Sequence, residues 1–232
     1  MTSLGRLVLG VIVASGCGSQ DSVVIKPGSV TALTFSGYPY LLYAPMGWRP
    51  DARLPALLLI HGSGGNGSGM LNIWRAFADA HGIVLVAPTL PLGAELEAKV
   101  PQLFPALMDT VKRLANVDPK RMSVFGYSAG GYSAFDAATL ASTTFASAGV
   151  FAAIITPDYY WIIAQAKRKT RIAIYIGDHD QFFTLAQARA TRDTLLGAGF
   201  PVHYVELTNQ DHNYAAASAF VDPDFWTFVS SQ

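Results

Sequence analysis

Apolar residues along this chain fall into short, mostly uninterrupted runs that alternate with longer segments of helical spacing. Ala56–Ile60, Ile83–Pro88, Met122–Tyr127, part of Phe145–Thr156, Arg171–Ile176 and Val202–Leu207 are such runs. All read as strands, and the unbroken Ala56–Ile60 run is the pattern expected of a parallel strand covered on both faces. Tyr38–Ala44 reads as a further strand, and Pro39 near its start suits an edge position. Between the runs, Met70–His81 places Leu71, Trp74, Phe77 and Ala78 at helical spacing and stops at Gly82. Glu95–Ala115 is a longer helical pattern whose Pro101 and Pro105 predict an irregular first part. Asp118-Pro119 reads as a helix or turn start ahead of the Met122–Tyr127 strand. An alanine-rich helix follows Gly131, Phe182–Leu196 reads as a helix ended by Gly197 and Gly199, and a closing helix runs through Val229.

Strands alternating with helices through short connections predict the α/β class. The expected architecture is a mostly parallel, doubly wound sheet with helices on both faces. A chain of 232 residues suits one such domain. No insertion is long enough for a separate cap, and there are no repeats or low-complexity tracts. Residues 35–232 are assigned to this domain, residues 17–34 to a tether and first edge strand, and residues 1–16 to an export signal of the lipoprotein type.

That last assignment rests on Arg6, the apolar run Leu7–Ala14 and the sequence Ala14-Ser15-Gly16-Cys17. The run is too short to span a bilayer and fits a secretory signal. Its end resembles a bacterial lipobox, in which small residues precede a cysteine that is acylated. Cys17 is the only cysteine, so no intramolecular disulfide forms and the thiol stands where lipidation would act. The expectation is an exported protein anchored by lipid to the cell envelope, on the outer membrane in a Gram-negative host. The alternative is an ordinary signal peptide with an incidental cysteine. Sixteen basic and sixteen acidic residues, with no block of either sign, argue against nucleic acid as a partner. Membrane contact is expected only through the lipid, and the protein is read as a monomer.

The chemistry sits where runs end. Met122–Tyr127 passes into Gly126-Tyr127-Ser128-Ala129-Gly130 and then the small-residue helix, the strand–turn–helix setting that a nucleophile elbow requires. The Arg171–Ile176 run closes at Gly177-Asp178-His179-Asp180, and Val202–Leu207 is followed by Asp211-His212. Nucleophile Ser128, acid Asp180 and base His212 thus occur in the order serine, aspartate, histidine, each after a strand. A serine hydroxyl is a weak nucleophile until a base takes its proton, and the acid fixes that base's tautomer. The backbone amides of Ala129 and Ser63 are the candidate oxyanion donors, worth ~3 kcal/mol each. Asp178 and Asp158 compete with Asp180 for the acid's role. His61 is read as bonding the glycine loop, His179 as a loop residue, and His81 and His203 as structural. Tyr127 is a candidate pocket residue, and Tyr159-Tyr160-Trp161 is either core packing or an apolar wall of an acyl pocket. No metal-ligand spacing and no phosphate-binding loop stands out, so no cofactor or metal is expected.

Ile60-His61-Gly62-Ser63-Gly64-Gly65, the stretch Asp118–Gly131 and Gly177-Asp178-His179-Asp180 together resemble the α/β-hydrolase esterases. Among these they are most similar to the secreted polyhydroxybutyrate depolymerase-like and feruloyl esterase-like branch. The likeness runs from about Tyr38 to the C-terminus. It implies a serine esterase that forms an acyl-enzyme on a small or oligomeric ester; the lack of a lid insertion predicts a shallow cleft and hence a short to medium acyl chain. A thioesterase or serine peptidase would use the same groups. A surface-tethered binding protein without activity is the reading of a different class.

Overall fold

The computed structural model describes residues 23–230. Cys17 and the export segment lie outside the described residues. Eight strands form one sheet: β1 (Val30–Phe35), β2 (Tyr38–Tyr43), β3 (Leu54–Ile60), β4 (Val84–Pro88), β5 (Val117–Tyr127), β6 (Ser147–Phe151), β7 (Arg171–Gly177) and β8 (Val202–Leu207). Their order across the sheet is β1-β2-β4-β3-β5-β6-β7-β8. The β1–β2 hairpin and the β2–β4 pair are antiparallel, and every later pair is parallel. The fold is that of an α/β-hydrolase without a cap.

The central runs are apolar because both faces of the sheet are covered there, while the edge strands β1 and β8 are only partly buried. In β3, Ala56, Leu58 and Ile60 enter one core while Leu57 and Leu59 enter the other, and all five are fully buried. The first core takes Phe104, Leu107 and Met108 from α3 (Val100–Ala115) and Phe135 from α4 (Ala129–Thr139). The second takes Trp74 from α1 (Gly67–His81) and Phe225 from α7 (Tyr214–Ser230). Trp74 meets Phe125 and Phe225 edge to face at 5.4 and 6.2 Å, so one indole joins α1, β5 and α7. Burying side chains of this size contributes about 1.5–3 kcal/mol each, which is why the layers dominate local propensity.

Three elements differ from the sequence reading. The long helical pattern is split into α2 (Ala94–Glu97) and α3, with Pro101 in the first turn of α3 and Pro105 tolerated inside it. Asp118-Pro119 starts no helix but lies within the span of β5. Leu54 pairs with Val117 and Ala56 with Met122, so Asp118–Arg121 bulges from the ladder. Asp118 closes that bulge by accepting from the Lys120 amide and the Arg121 side chain. Finally, α6 (Leu185–Gly197) begins three residues later than the apolar spacing suggests, and Phe182 and Phe183 belong to the loop before it. The segment after β6 is a 3-10 turn, Pro157–Tyr159, followed by the short helix α5 (Trp161–Ala164).

Candidate active site

The β5–α4 turn is built by what its glycines lack. A Cβ on Gly126 would stand 2.1 Å from the Gly130 carbonyl oxygen, and one on Gly130 would stand 2.4 Å from that of His61. Strand, helix and the loop after β3 can meet this closely only without those side chains. Between them Ser128 is forced to φ 54° and ψ −121°, a conformation that costs a non-glycine residue about 1–3 kcal/mol. It is held there by its amide, which donates to the Phe151 carbonyl at 2.9 Å.

Two further strand ends converge on the serine. A Cβ on Gly177 would lie 2.0 Å from the Gln210 carbonyl oxygen, so the loops after β7 and β8 are in direct backbone contact. Asp178 and His179 donate their amides to Leu207 and Gln210, and the Asp178 carboxylate accepts from the Gln210 amide at 3.3 Å. These bonds bring His212 beside both Ser128 and Asp180. The His212 Nε2 atom accepts from Ser128 Oγ at 2.8 Å, and its Nδ1–H donates to Asp180 Oδ2 at 2.7 Å. A carboxylate only accepts, which assigns the tautomer. The Asp180 side chain is fully buried, yet its second oxygen is satisfied too, since Oδ1 accepts from the Phe182 and Phe183 amides at 2.9 Å each.

Ser63 and Ala129 flank the serine in a cleft of about 430 Å³. Among the described residues, neither amide donates to a protein acceptor, and the Ala129 amide opens α4 with its positive end toward the cleft. The Ser63 loop is fixed by His61, which is buried: its Nδ1–H donates to Gly62 at 2.7 Å and its Nε2 accepts from the Leu90 amide at 3.1 Å. Tyr127, Tyr132, Phe182 and Phe183 complete the lining with Ser128 and His212. Tyr127 stacks on Tyr214 and stands 5.3 Å from the His212 ring, and burial raises its hydroxyl pKa.

The other candidates lie elsewhere. Asp158 is exposed on the 3-10 turn, and His179 is exposed beside Asp180. His81 stacks on Phe77, while His203 pairs with Asp224 at 2.7 Å. Tyr159, Tyr160 and Trp161 do not line the cleft, which corrects their reading as an acyl wall. Tyr159 and Tyr160 pack against the core, and Trp161 is half exposed. Tyr159 instead donates to Asp136 of α4 at 3.1 Å. Asp136 is fully buried, and among the described residues its other oxygen has no partner. Burial, with a smaller push from the Glu97 charge, raises its pKa to about 7 although Tyr159 opposes the shift.

Of the cleft's aromatic lining the sequence reading names Tyr127 and misses Tyr132, Phe182 and Phe183. One signal was available: Thr184 and Gln187 form a capping box, each side chain bonding the other's backbone amide. That spacing marks Thr184 as the helix cap and leaves Phe182-Phe183 outside the helix.

The sequence profile of the dienelactone hydrolase family matches residues 89–223, more than half of the chain. No curated protein sequence matches it. Among solved structures, the chain is similar to a thermostable esterase at 20% identity and a TM-score of 0.67, covering 86% of this chain and 62% of that one. It is similar to a putative dipeptidyl aminopeptidase IV from Bacteroides ovatus at 15% identity and a TM-score of 0.71, covering 86% of this chain and 35% of that one. Against the S-formylglutathione hydrolase FrmB from Staphylococcus aureus the identity is 15% and the TM-score 0.72, covering 90% of this chain and 100% of that one. The chain therefore spans less than two thirds of the esterase and about a third of the peptidase.

Proposed function

The chain belongs to the dienelactone hydrolase family, and from that premise we propose that it hydrolyses carboxylic esters of short to medium acyl chain through Ser128, His212 and Asp180. The observation that carries the reading is the unbroken hydrogen-bond chain from Ser128 Oγ through both His212 nitrogens to a fully buried carboxylate. Beside it stand two amides with no protein acceptor among the described residues.

Each step follows from that geometry. As Ser128 Oγ attacks the ester carbonyl carbon, His212 Nε2 takes its proton, and Asp180 Oδ2 stabilises the imidazolium without accepting the proton. The carbonyl oxygen becomes an oxyanion between the Ser63 and Ala129 amides, each worth ~3 kcal/mol. Collapse breaks the bond to the alcohol oxygen, which leaves with the proton from His212 Nε2. A water then attacks the acyl-enzyme as His212 takes one of its protons. The carboxylic acid departs and Ser128 regains its hydrogen. The chain and water supply every group the reaction needs.

Labelling with a fluorophosphonate tests the reading: wild type is expected to be modified at Ser128, and the Ser128→Ala variant to be inert. A wild type that is neither labelled nor active on any ester would refute it. A thioester is the second substrate reading, favoured by the full-length likeness to an S-formylglutathione hydrolase. The likeness of the glycine-loop and elbow motifs to the polyhydroxybutyrate depolymerase-like branch belongs to the same proposal. So does export with a lipid anchor at Cys17.

A further inference from the structure

Two aromatic rings meet in the lining of the cleft. Tyr132 stands one helical turn beyond Ser128 on α4, and Phe183 follows the Asp180 turn. Their rings meet edge to face, 6.3 Å apart, within the lining of the cleft. Phe183 is held in place through its backbone. Its amide donates to Asp180 Oδ1 at 2.9 Å, and the next residue, Thr184, is fixed by the capping box of α6. Burial, and after it the Glu97 charge, raises the Tyr132 hydroxyl pKa. Phe182 differs from its neighbour. It is 66% exposed and packs edge-on against His212 at 4.6 Å, whereas Phe183 stands farther from that ring, at 5.9 Å, and is the one that meets Tyr132.

We infer that Phe183, braced against Tyr132, is the acyl-length stop of this site, and that Asp180 sets its position. One carboxylate orients the base through Oδ2 and the specificity wall through Oδ1. The inference rests on the ester-hydrolase reading and adds which esters the site refuses. Acyl groups that fill the cleft up to the Phe183 ring are accepted, and further methylenes turn out into water. Wild-type kcat/KM then peaks at about two to six carbons, since only buried methylenes contribute.

The test is kcat/KM across p-nitrophenyl esters from acetate to palmitate, for wild type, Phe183→Ala, Phe183→Leu, Phe183→Trp and Phe182→Ala. Each newly buried methylene is worth about fourfold. Two of them raise the octanoate-to-acetate ratio more than tenfold in Phe183→Ala. Phe183→Leu raises it less, and Phe183→Trp lowers it. Phe182→Ala slows all esters by one common factor and leaves the ratio unmoved. Thermal unfolding checks each variant. If Phe183→Ala does not fold, the opposite shifts in Phe183→Leu and Phe183→Trp carry the same distinction. A ratio that stays fixed in folded Phe183 variants still labelled by a fluorophosphonate overturns the length stop alone. A wild type that neither labels nor hydrolyses any ester overturns the stop together with the proposed function.

Discussion

Replacing Asp136 by asparagine is expected to reverse its effect on stability between acid and alkaline pH. Asp136 lies two turns beyond the elbow, fully buried beneath Tyr159 with one oxygen unpartnered among the described residues. Its carboxyl titrates near 7 in the folded protein, against an ordinary value of 3.8 in the unfolded chain. The folded state therefore holds the proton more tightly, and stability falls as pH rises from about 4 to about 7 before levelling off. At 1.36 kcal/mol for each pH unit between the two values, the total loss is about 4 kcal/mol. The asparagine would keep an oxygen for the Tyr159 hydroxyl and carries no charge to desolvate. Its buried amino group lacks an acceptor, at a cost of about 1–3 kcal/mol. Urea unfolding of wild type and Asp136→Asn at matched pH gives the difference directly. The variant should be the less stable of the two at pH 4.5 and the more stable by about 1–3 kcal/mol at pH 8.5. Asp222 is also raised to about 7 by burial, but it is present in both proteins and cancels. A difference constant across this range to within about 1 kcal/mol would show that Asp136 titrates as an ordinary carboxyl, refuting the argument from burial.

Ser128→Ala and His212→Ala should each lower kcat by several orders of magnitude, and the double variant should lose little more, because the groups act as a unit; additive losses in single-turnover assays would contradict this. Asp180→Asn should cost about 10⁴-fold in kcat by favouring the wrong imidazole tautomer. Asp158→Asn should cost far less, and Asp178→Asn should act only through the loop contact to Gln210; a larger kcat loss in Asp158→Asn would relocate the acid. Cys17→Ser should move the protein from the membrane fraction to the soluble one, and identical partitioning in detergent would remove the anchor from the proposal.

The middle of the sheet was legible because its strands are buried on both faces. A run such as Ala56–Ile60 carries no polar position, and only a central parallel strand removes the need for one. The elbow was legible for a similar reason, since Gly126 and Gly130 answer a backbone contact that any Cβ would block. Chain order nominated Ser128, His212 and an acid among Asp158, Asp178 and Asp180, because each follows a strand and strand ends share one edge of such a sheet; the Gly177-to-Asp180 spacing favoured Asp180. Distance was not in the sequence. Asp178 and Asp180 sit two residues apart in the same turn, and only the folded loops decide that one carboxylate meets the Gln210 amide and the other meets His212. The aromatic residues show the same limit. Tyr159-Tyr160-Trp161 and Phe182-Phe183 are both apolar clusters after strands, and composition does not separate them. Tertiary packing turns the first onto the core and Asp136, while two amide bonds to Asp180 turn the second into the cleft. Periodicity and glycine placement are local constraints that a chain carries in its letters. Which side chain closes a cleft depends on contacts across 50 or more residues, from Tyr132 to Phe183, and only the folded sheet brings those together.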